Sequence, residues 1–492
     1  MRKPAALLST ALVLAGCASQ PGYRAPAVDV PPEFRELSRD TLRDSVIPPA
    51  APAPAAPTGE AASLDPRFWR ALGDSTLDRL VGEVLRANLD VRAAAARLRG
   101  ARAARLDAAL DLAPTVTVGG AYTRQRLSSA SFPIGAGSFP DQDIWDAGFD
   151  ASWELDLFGR VRRGVQAQGA LVGAAGEDLR DAQVALTAEL ARTYFELRGV
   201  QEQLDVARRN AENQRRSLGV TQERLDAGRG TAFDTERAKA QLSITLASIP
   251  DLQAQVAEAQ YQIGVLVGRP PATLAAELER PVSLPTLPAS VTVAAPDSLI
   301  RRRPDVAAAE RQVAAERAFV GVAKSDYLPR ITVGGSAGYS AEALGSLGDR
   351  GTFRYAVGPV LSWPALNLGR VKARVDASRA REAEAQARYT QTVLRALQEV
   401  ESALVRYRTS RQRVERYGEA AAASTRAAEL ARLRFTGGVA DFLQVLDAER
   451  TQLDAEAQLA RSRTDAATAY AALYKALGGE EPGELAEAGA PR

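Results

Sequence analysis

The charged side chains that could do chemistry in this chain come in small sets on single faces. Asp447 and Arg450 are three residues apart in a helix-forming stretch, which puts them on one helix face, with Leu443 one turn before Asp447. Asp150, Glu154 and Asp156 alternate with Phe149, Ala151, Trp153, Leu155 and Leu157, so three carboxylates share one face of an expected strand. An exposed carboxylate–guanidinium pair contributes only ~0–1 kcal/mol to stability. A row of carboxylates on a strand suits contact with water. Catalysis has little to work with. The 492 residues include no histidine, which removes the commonest general base, Ser-His triads and imidazole metal sites. No carboxylate pair stands in a Gly-rich or cleft-like setting. The expectation is no enzyme, no metal and no cofactor. Without Arg2 and Lys3, 60 basic side chains balance 60 acidic ones, and a near-neutral chain gives no reason to expect a nucleic-acid partner.

The other reactive group is Cys17. Met1-Arg2-Lys3, an apolar run from Ala5 to Leu14 and Leu14-Ala15-Gly16-Cys17 form an export signal over residues 1–16. Its end is similar to the lipobox of bacterial lipoproteins, which implies that Cys17 becomes an acylated N-terminus. Cys17 is the only cysteine, so no intrachain disulfide can form. Ala18, not Asp, follows it, and the expected destination is the outer membrane. Residues 17–62 carry the run Pro48-Pro49-Ala50-Ala51-Pro52-Ala53-Pro54 and read as an extended, poorly ordered tether. Residues 478–492 read as a disordered tail.

The elements that position these groups are written twice. Asp90-Val91, Pro114 and Thr117-Val118-Gly119-Gly120 match Asp305-Val306, Pro329 and Thr332-Val333-Gly334-Gly335 at an offset of 215. Trp153, Gly159-Arg160-Val161, Glu189 and Gly228 match Trp363, Gly369-Arg370-Val371, Glu399 and Gly438 at an offset of 210. Two repeats are expected, over residues 63–280 and 281–477. No proline occurs from Asp141 to Ile249 or from Ala365 to Glu481. Residues 161–226 and 370–435 should each form a helix about 100 Å long, at ~1.5 Å per residue. Shorter helices are expected over 75–112, 234–268, 296–327 and 442–477, with a bend at Pro250. Two short helices stacked end to end match one long one, which suggests a four-strand helical wall with coiled-coil packing.

Between the helices the period drops to two. Strands are expected at about 115–124, 147–157, 330–340 and 353–363, each with one apolar and one polar face. Such segments fit a transmembrane β-barrel, with Asp150, Glu154 and Asp156 toward a wet lumen and Trp153, Tyr339 and Trp363 in aromatic girdles. Four strands cannot close a barrel, and an open edge in lipid leaves unpaired backbone groups. Copies must therefore join through their strands, two giving eight strands or three giving twelve.

The stretch Leu299-Ile300-Arg301-Arg302-Arg303-Pro304-Asp305-Val306-Ala307-Ala308-Ala309-Glu310-Arg311 leads through Gly321-Val322-Ala323-Lys324 to Leu328-Pro329-Arg330-Ile331. With Ala247-Ser248-Ile249-Pro250, Leu266-Val267-Gly268-Arg269-Pro270 and Asp441-Phe442-Leu443-Gln444-Val445-Leu446-Asp447-Ala448, it resembles the TolC family of outer-membrane channels, lipoprotein branch (OprM/NodT type). The resemblance implies an α+β membrane protein. It would form a homotrimer with a 12-stranded β-barrel, four strands per chain, continued by a long periplasmic α-helical barrel. It implies a passive exit duct for small toxic compounds. A periplasmic adaptor (membrane fusion protein) would link the duct to an inner-membrane pump, commonly of the resistance-nodulation-division type. The turns at Arg224–Gly228 and Arg434–Gly438 would lie at the far end and meet the adaptor. Asp234, Leu443, Asp447 and Arg450 would line the constriction, with Gln444 standing where some members carry a second aspartate. Two other classes fit parts of the pattern: the duct of a type I protein secretion system, and a non-conducting periplasmic scaffold. The lipobox favours small-molecule efflux over the first, and the amphipathic strands argue against the second.

Overall fold

A computed structural model describes residues 26–38, 69, 72–127, 140–288, 293 and 295–479. The export signal, Cys17, most of the tether and the tail beyond Gly479 lie outside the described residues. The chain forms two compact units, one built from residues 96–176 and 308–390 and the other from 28–95, 177–307 and 391–479. Each unit draws on both repeats, so the duplicated halves are interleaved in space.

The helices follow the expected composition. A short turn, α1 (Arg35–Ser38), is followed by α2 (Ser75–Ala87), α3 (Leu89–Leu110), the long α4 (Arg160–Asp226) and α5 (Ala232–Leu266). The short α6 (Ala275–Leu278) ends the first repeat, and the second supplies α7 (Pro296–Arg302), α8 (Pro304–Ser325), the long α9 (Leu368–Thr436) and α10 (Phe442–Ala476). The two long helices hold 67 and 69 residues, each about 100 Å at ~1.5 Å per residue. Helix α5 runs through Pro250 without ending. The expected helices 75–112 and 296–327 are each two helices. Asn88 leaves helical geometry and its Oδ1 accepts from the Asp90 and Val91 N–H groups, capping α3. Arg303 leaves helical geometry because Pro304 follows it. The two breaks are 215 residues apart, the repeat's own offset.

The strands β1 (Thr115–Gln125), β2 (Gln142–Glu154), β3 (Arg330–Ala341) and β4 (Phe353–Ser362) form one antiparallel sheet in chain order. Strand β2 starts five residues earlier than expected and ends at Glu154, short of Asp156. Its early part escapes the pattern because Asp143 and Ile144 stand against the alternation. Register keeps the faces aligned. Val118, Phe149, Ala337 and Tyr355 are neighbours across all four strands, and so are Thr117, Asp150, Ser336 and Ala356. The apolar face is exposed at Val116, Val118, Phe149, Tyr355, Val357 and Leu361. Among the described residues, the outer edges of β1 and β4 have no partner strand. Among the described residues no helix is long and apolar enough to cross a membrane.

The helical unit has the larger core. Leu77, Leu80, Tyr194, Phe195, Ile263, Tyr470, Leu473 and Tyr474 are buried there, with the Trp69 ring 4.7 Å from that of Tyr474 and tilted 59° to it. Part of the expected tether belongs to this core. Phe34 is fully buried, which stabilises its docking by roughly 1.5–3 kcal/mol. Glu401 accepts from the N–H groups of Arg35 (2.7 Å) and Glu36 (3.2 Å), and Arg408 pairs with the Glu36 carboxylate at 2.8 Å. The Pro/Ala-rich composition conceals this anchored stretch.

Candidate functional site

Three places carry the expected site residues. The first is the sheet. Asp150 and Glu154 lie on its polar face, while Asp156 lies past the end of β2 and is no strand residue. Its carboxylate accepts from the N–H groups of Val161 (3.2 Å) and Arg162 (2.9 Å) and from Arg162 Nε (3.1 Å), capping the first turn of α4. Burial pushes the Asp156 carboxyl up, but the two N–H bonds and Arg162 outweigh it and hold it below the ordinary value. Glu154 is also engaged. Arg160 holds it through both nitrogens, at 2.8 and 2.5 Å, and Arg330 stands 3.7 Å away. These groups line a recess of about 300 Å³ with Asp326 and Arg374. Across the sheet, Arg354 of β4 reaches Asp146 of β2 at 3.2 Å. It passes over Gly338 and Gly148, which face each other across β2 and β3 and leave no side chain in the way.

The aromatic residues divide between the two ends of the sheet. Trp153 donates from Nε1 to the Leu112 carbonyl at 2.9 Å, and Trp363 donates to the Tyr327 carbonyl at 3.1 Å. Each tryptophan ties a strand end to the helix–strand junction before it, and donors and acceptors keep the repeat offsets of 210 and 215. Tyr339 lies at the opposite end, ring-to-ring with Phe353 at 5.7 Å, near the Tyr122–Trp145 pair at 4.5 Å. Six residues of β3 separate Tyr339 from Val333, the partner of Trp153, about 20 Å at ~3.3 Å per residue.

The second place is the pair of helix ends at the tips. Gly228 (φ 67°) ends α4 and Gly438 (φ 75°) ends α9, both in the left-handed region that favours glycine. The N–H groups of Gly228 and Arg229 return to the carbonyls of Leu225 and Arg224. Those of Gly438 and Val439 return to Phe435 and Arg434. Both turns are thus Schellman motifs. The side chains break the symmetry. Arg224 donates from Nη1 to the Phe435 carbonyl at 3.1 Å and lies 4.3 Å above the Phe435 ring. Among the described residues, the Arg434 side chain makes no hydrogen bond or ion pair.

The third place is the start of α5 and α10. Thr231 caps α5, accepting from the Asp234 N–H, and its hydroxyl donates to the Asp234 carboxylate at 2.7 Å. Asp441 caps α10 by accepting from the Gln444 N–H. The offset of 210 makes Asp234 and Gln444 equivalent, and likewise Phe233 and Leu443, both exposed on the first turn. Asp447 and Arg450 are exposed on the same helix and form no ion pair with each other among the described residues. The sequence reading missed the opposite face of α10. Glu449 is buried there against Arg432 of α9 (2.8 Å) and Ser217 of α4 (2.6 Å). No local pattern marks it, because its partners are distant in sequence.

The profile of the outer membrane efflux protein family matches residues 80–269 and 295–479. The chain belongs to that family. Nodulation protein T of Rhizobium leguminosarum bv. viciae is 29% identical, over 95% of this chain and 92% of that protein. The pyoverdine export outer membrane protein OpmQ of Pseudomonas putida is 30% identical, over 88% of this chain and 92% of that protein. The solved structure of the outer-membrane channel OprN is 36% identical and superposes with a TM-score of 0.83, covering 94% of this chain and 99% of that one. The fold is that of a TolC-like trimeric outer-membrane channel: each chain gives four strands to a 12-stranded barrel that continues into a helical barrel. The chain's own sheet fits this closure. An antiparallel meander of four strands leaves β1 and β4 running oppositely, so a rotated copy can pair β1 with β4 and keep the ladder antiparallel throughout. The protein is an outer-membrane efflux channel.

Proposed function

We propose that the trimer is the passive outer-membrane exit duct of a tripartite efflux pump. A periplasmic adaptor (membrane fusion protein) joins it to an inner-membrane pump of the resistance-nodulation-division type, and small toxic compounds leave through it. Acylated Cys17 anchors each chain in outer-membrane lipid. Apolar faces turn to lipid in a membrane barrel, so Asp150 and Glu154 line the lumen, and Trp153 and Trp363 form one girdle with Tyr339 in the other. The tips at Arg224, Gly228, Arg434 and Gly438 meet the adaptor. Leu443, Asp447 and Arg450, with Asp234 on the neighbouring α5, close the duct at its periplasmic end.

The observation that carries this reading is the four-strand register, apolar on one face and polar on the other, with both sheet edges unpaired among the described residues. The relative named for pyoverdine export supports small molecules over proteins as cargo. The test has two parts. The purified full-length protein in planar bilayers should conduct ions, with larger conductance in Leu443→Ala and Asp447→Asn. A strain lacking the gene should become sensitive to drugs, dyes, detergents or metal ions. A non-conducting trimer, or an unaltered sensitivity profile with a lost secreted protein, would overturn the proposal.

A further inference from the structure

We propose that Glu449, Arg432 and Ser217 form a latch that holds α10 in the closed pose, with Glu449 as a positioning residue for the constriction. The inference rests on the reading that Leu443, Asp447 and Arg450 close the duct. Those three residues occupy the exposed side of α10, while Val445, Glu449 and Gln452 are buried on its other side. The first turn is held by apolar contact among Phe435, Phe442, Val445 and Ala238. Past that cluster the packing becomes polar. Glu449 accepts from Ser217 Oγ of α4 at 2.6 Å and from Arg432 Nε of α9 at 2.8 Å. Arg432 Nη2 donates to Gln452 at 3.2 Å, and Gln452 donates to Glu456 at 2.8 Å. Glu456 also accepts from Asn210 of α4 (3.0 Å) and Thr425 of α9 (3.2 Å). One helix is therefore tied to both long helices through a continuous polar chain.

Such a chain behaves differently from an apolar seam. Apolar surfaces can slide with gradual loss of contact, whereas a buried carboxylate paired with a half-buried guanidinium holds only while its partners are in place and loses most of that strength once sheared open to water. That gives α10 two distinct poses. The first repeat has no equivalent. Stepping back 210 residues from Arg432, Glu449, Gln452 and Glu456 gives Gln222, Lys239, Leu242 and Leu246. The helix that carries the constriction is the one held by polar contacts. It also has a fixed point. A Cβ on Gly199 of α4 would overlap the Thr464 side chain of α10, so Thr464 packs directly on the α4 backbone there. From Thr464 to Asp447 is about 25 Å along the helix, so a tilt of about 10° at that point would carry Asp447 about 4 Å sideways.

The test measures open probability of the full-length lipidated trimer in planar bilayers. Glu449→Gln and Arg432→Glu should each raise it about tenfold or more. The swap Arg432→Glu with Glu449→Arg should restore closure, which a mere loss of packing would not allow. Arg413→Ala removes an exposed ion pair to Asp465 between the same two helices and should change nothing. If Glu449→Gln and Arg432→Glu stay closed while Leu443→Ala opens, the latch is wrong and the constriction reading stands. If Leu443→Ala also stays closed, the constriction reading fails and the latch with it. Should the charge variants not trimerise, Ser217→Ala keeps the ion pair and must still raise open probability several-fold. An unchanged value there also overturns the proposal.

Discussion

The two tips look alike in sequence but should respond differently to the same substitution. Arg224 and Arg434 occupy the same position before the glycine that ends each long helix. Only Arg224 spans the two hairpins, with a hydrogen bond of 3.1 Å to the Phe435 carbonyl and its guanidinium 4.3 Å from the Phe435 ring. A bond from a charged donor contributes ~1.5–3 kcal/mol, and a cation–π contact at a half-exposed site ~0.5–1 kcal/mol. The Phe435 carbonyl also accepts from the Gly438 N–H, so truncation does not leave it bare and the lower end applies. Arg224→Ala should cost about 2 kcal/mol of local stability, and Arg434→Ala within about 0.5 kcal/mol of nothing. Hydrogen exchange of the detergent-solubilised trimer reads this directly. Amides over residues 222–235 and 430–445 should exchange about 30-fold faster in Arg224→Ala and at the wild-type rate in Arg434→Ala. Equal effects from the two variants, or none from either, would refute the reasoning. On the proposal that an adaptor meets these tips, the same loosening should weaken its docking, because Arg224 fixes the pose of one tip against the other.

Two further outcomes follow from the charges. On the polar face of the sheet, Asp146, Asp150 and Glu154 stand against Arg330 and Arg354. Arg354→Ala should take this face from about −1 to about −2 per chain and raise cation over anion permeability, read as the reversal potential in a salt gradient. An unchanged ratio would show that the sheet does not set selectivity. In the helical unit, burial first, and then the nearby Asp305, raises the Asp181 carboxyl above its ordinary value despite Lys475 and Arg303. The folded state therefore holds this proton more tightly than the unfolded chain, and stability falls as pH rises through that raised value. Asp181→Asn should raise Tm at pH 7 and match wild type below the ordinary carboxylate pKa. A variant that melts with wild type at both pH values would remove Asp181 from the account.

Most of the fold was legible because the chain repeats its own grammar. Alternation located β1, β3 and β4 to within a residue or so, and the proline-free stretches located both long helices. Alternation also misled at Asp156. Leu155 and Leu157 continue the period of β2 past its last residue, and nothing local separates a carboxylate on a strand from one that caps the next helix. The breaks at Asn88 and Arg303 did carry signals, an N-cap residue before Leu89 and a proline after Arg303, which uniform helical composition obscured. Glu449 had no such signal. A glutamate in a charged, Ala-rich helix reads as solvated, and only the approach of Ser217 and Arg432 from two other helices makes it a buried partner.

The two repeats diverge selectively, and the pattern of divergence is itself informative. The tryptophan–carbonyl ties, the left-handed glycines and the helix breaks recur at constant offsets, because each solves a backbone problem that both halves share. Where α4 meets α5 and α9 meets α10 the halves part. Phe233 corresponds to Leu443, Asp234 to Gln444 and Lys239 to Glu449, and among the described residues Arg224 has a partner that Arg434 lacks. Three chains of two identical repeats would surround the axis with six equal hairpins, and six equal hairpins have no reason to move separately. Divergence at this end turns that pseudo-sixfold ring into three hairpins of one kind and three of another. A duct that opens by moving one helix of each chain requires that inequality, and the buried charge on α10 is where the chain concentrates it.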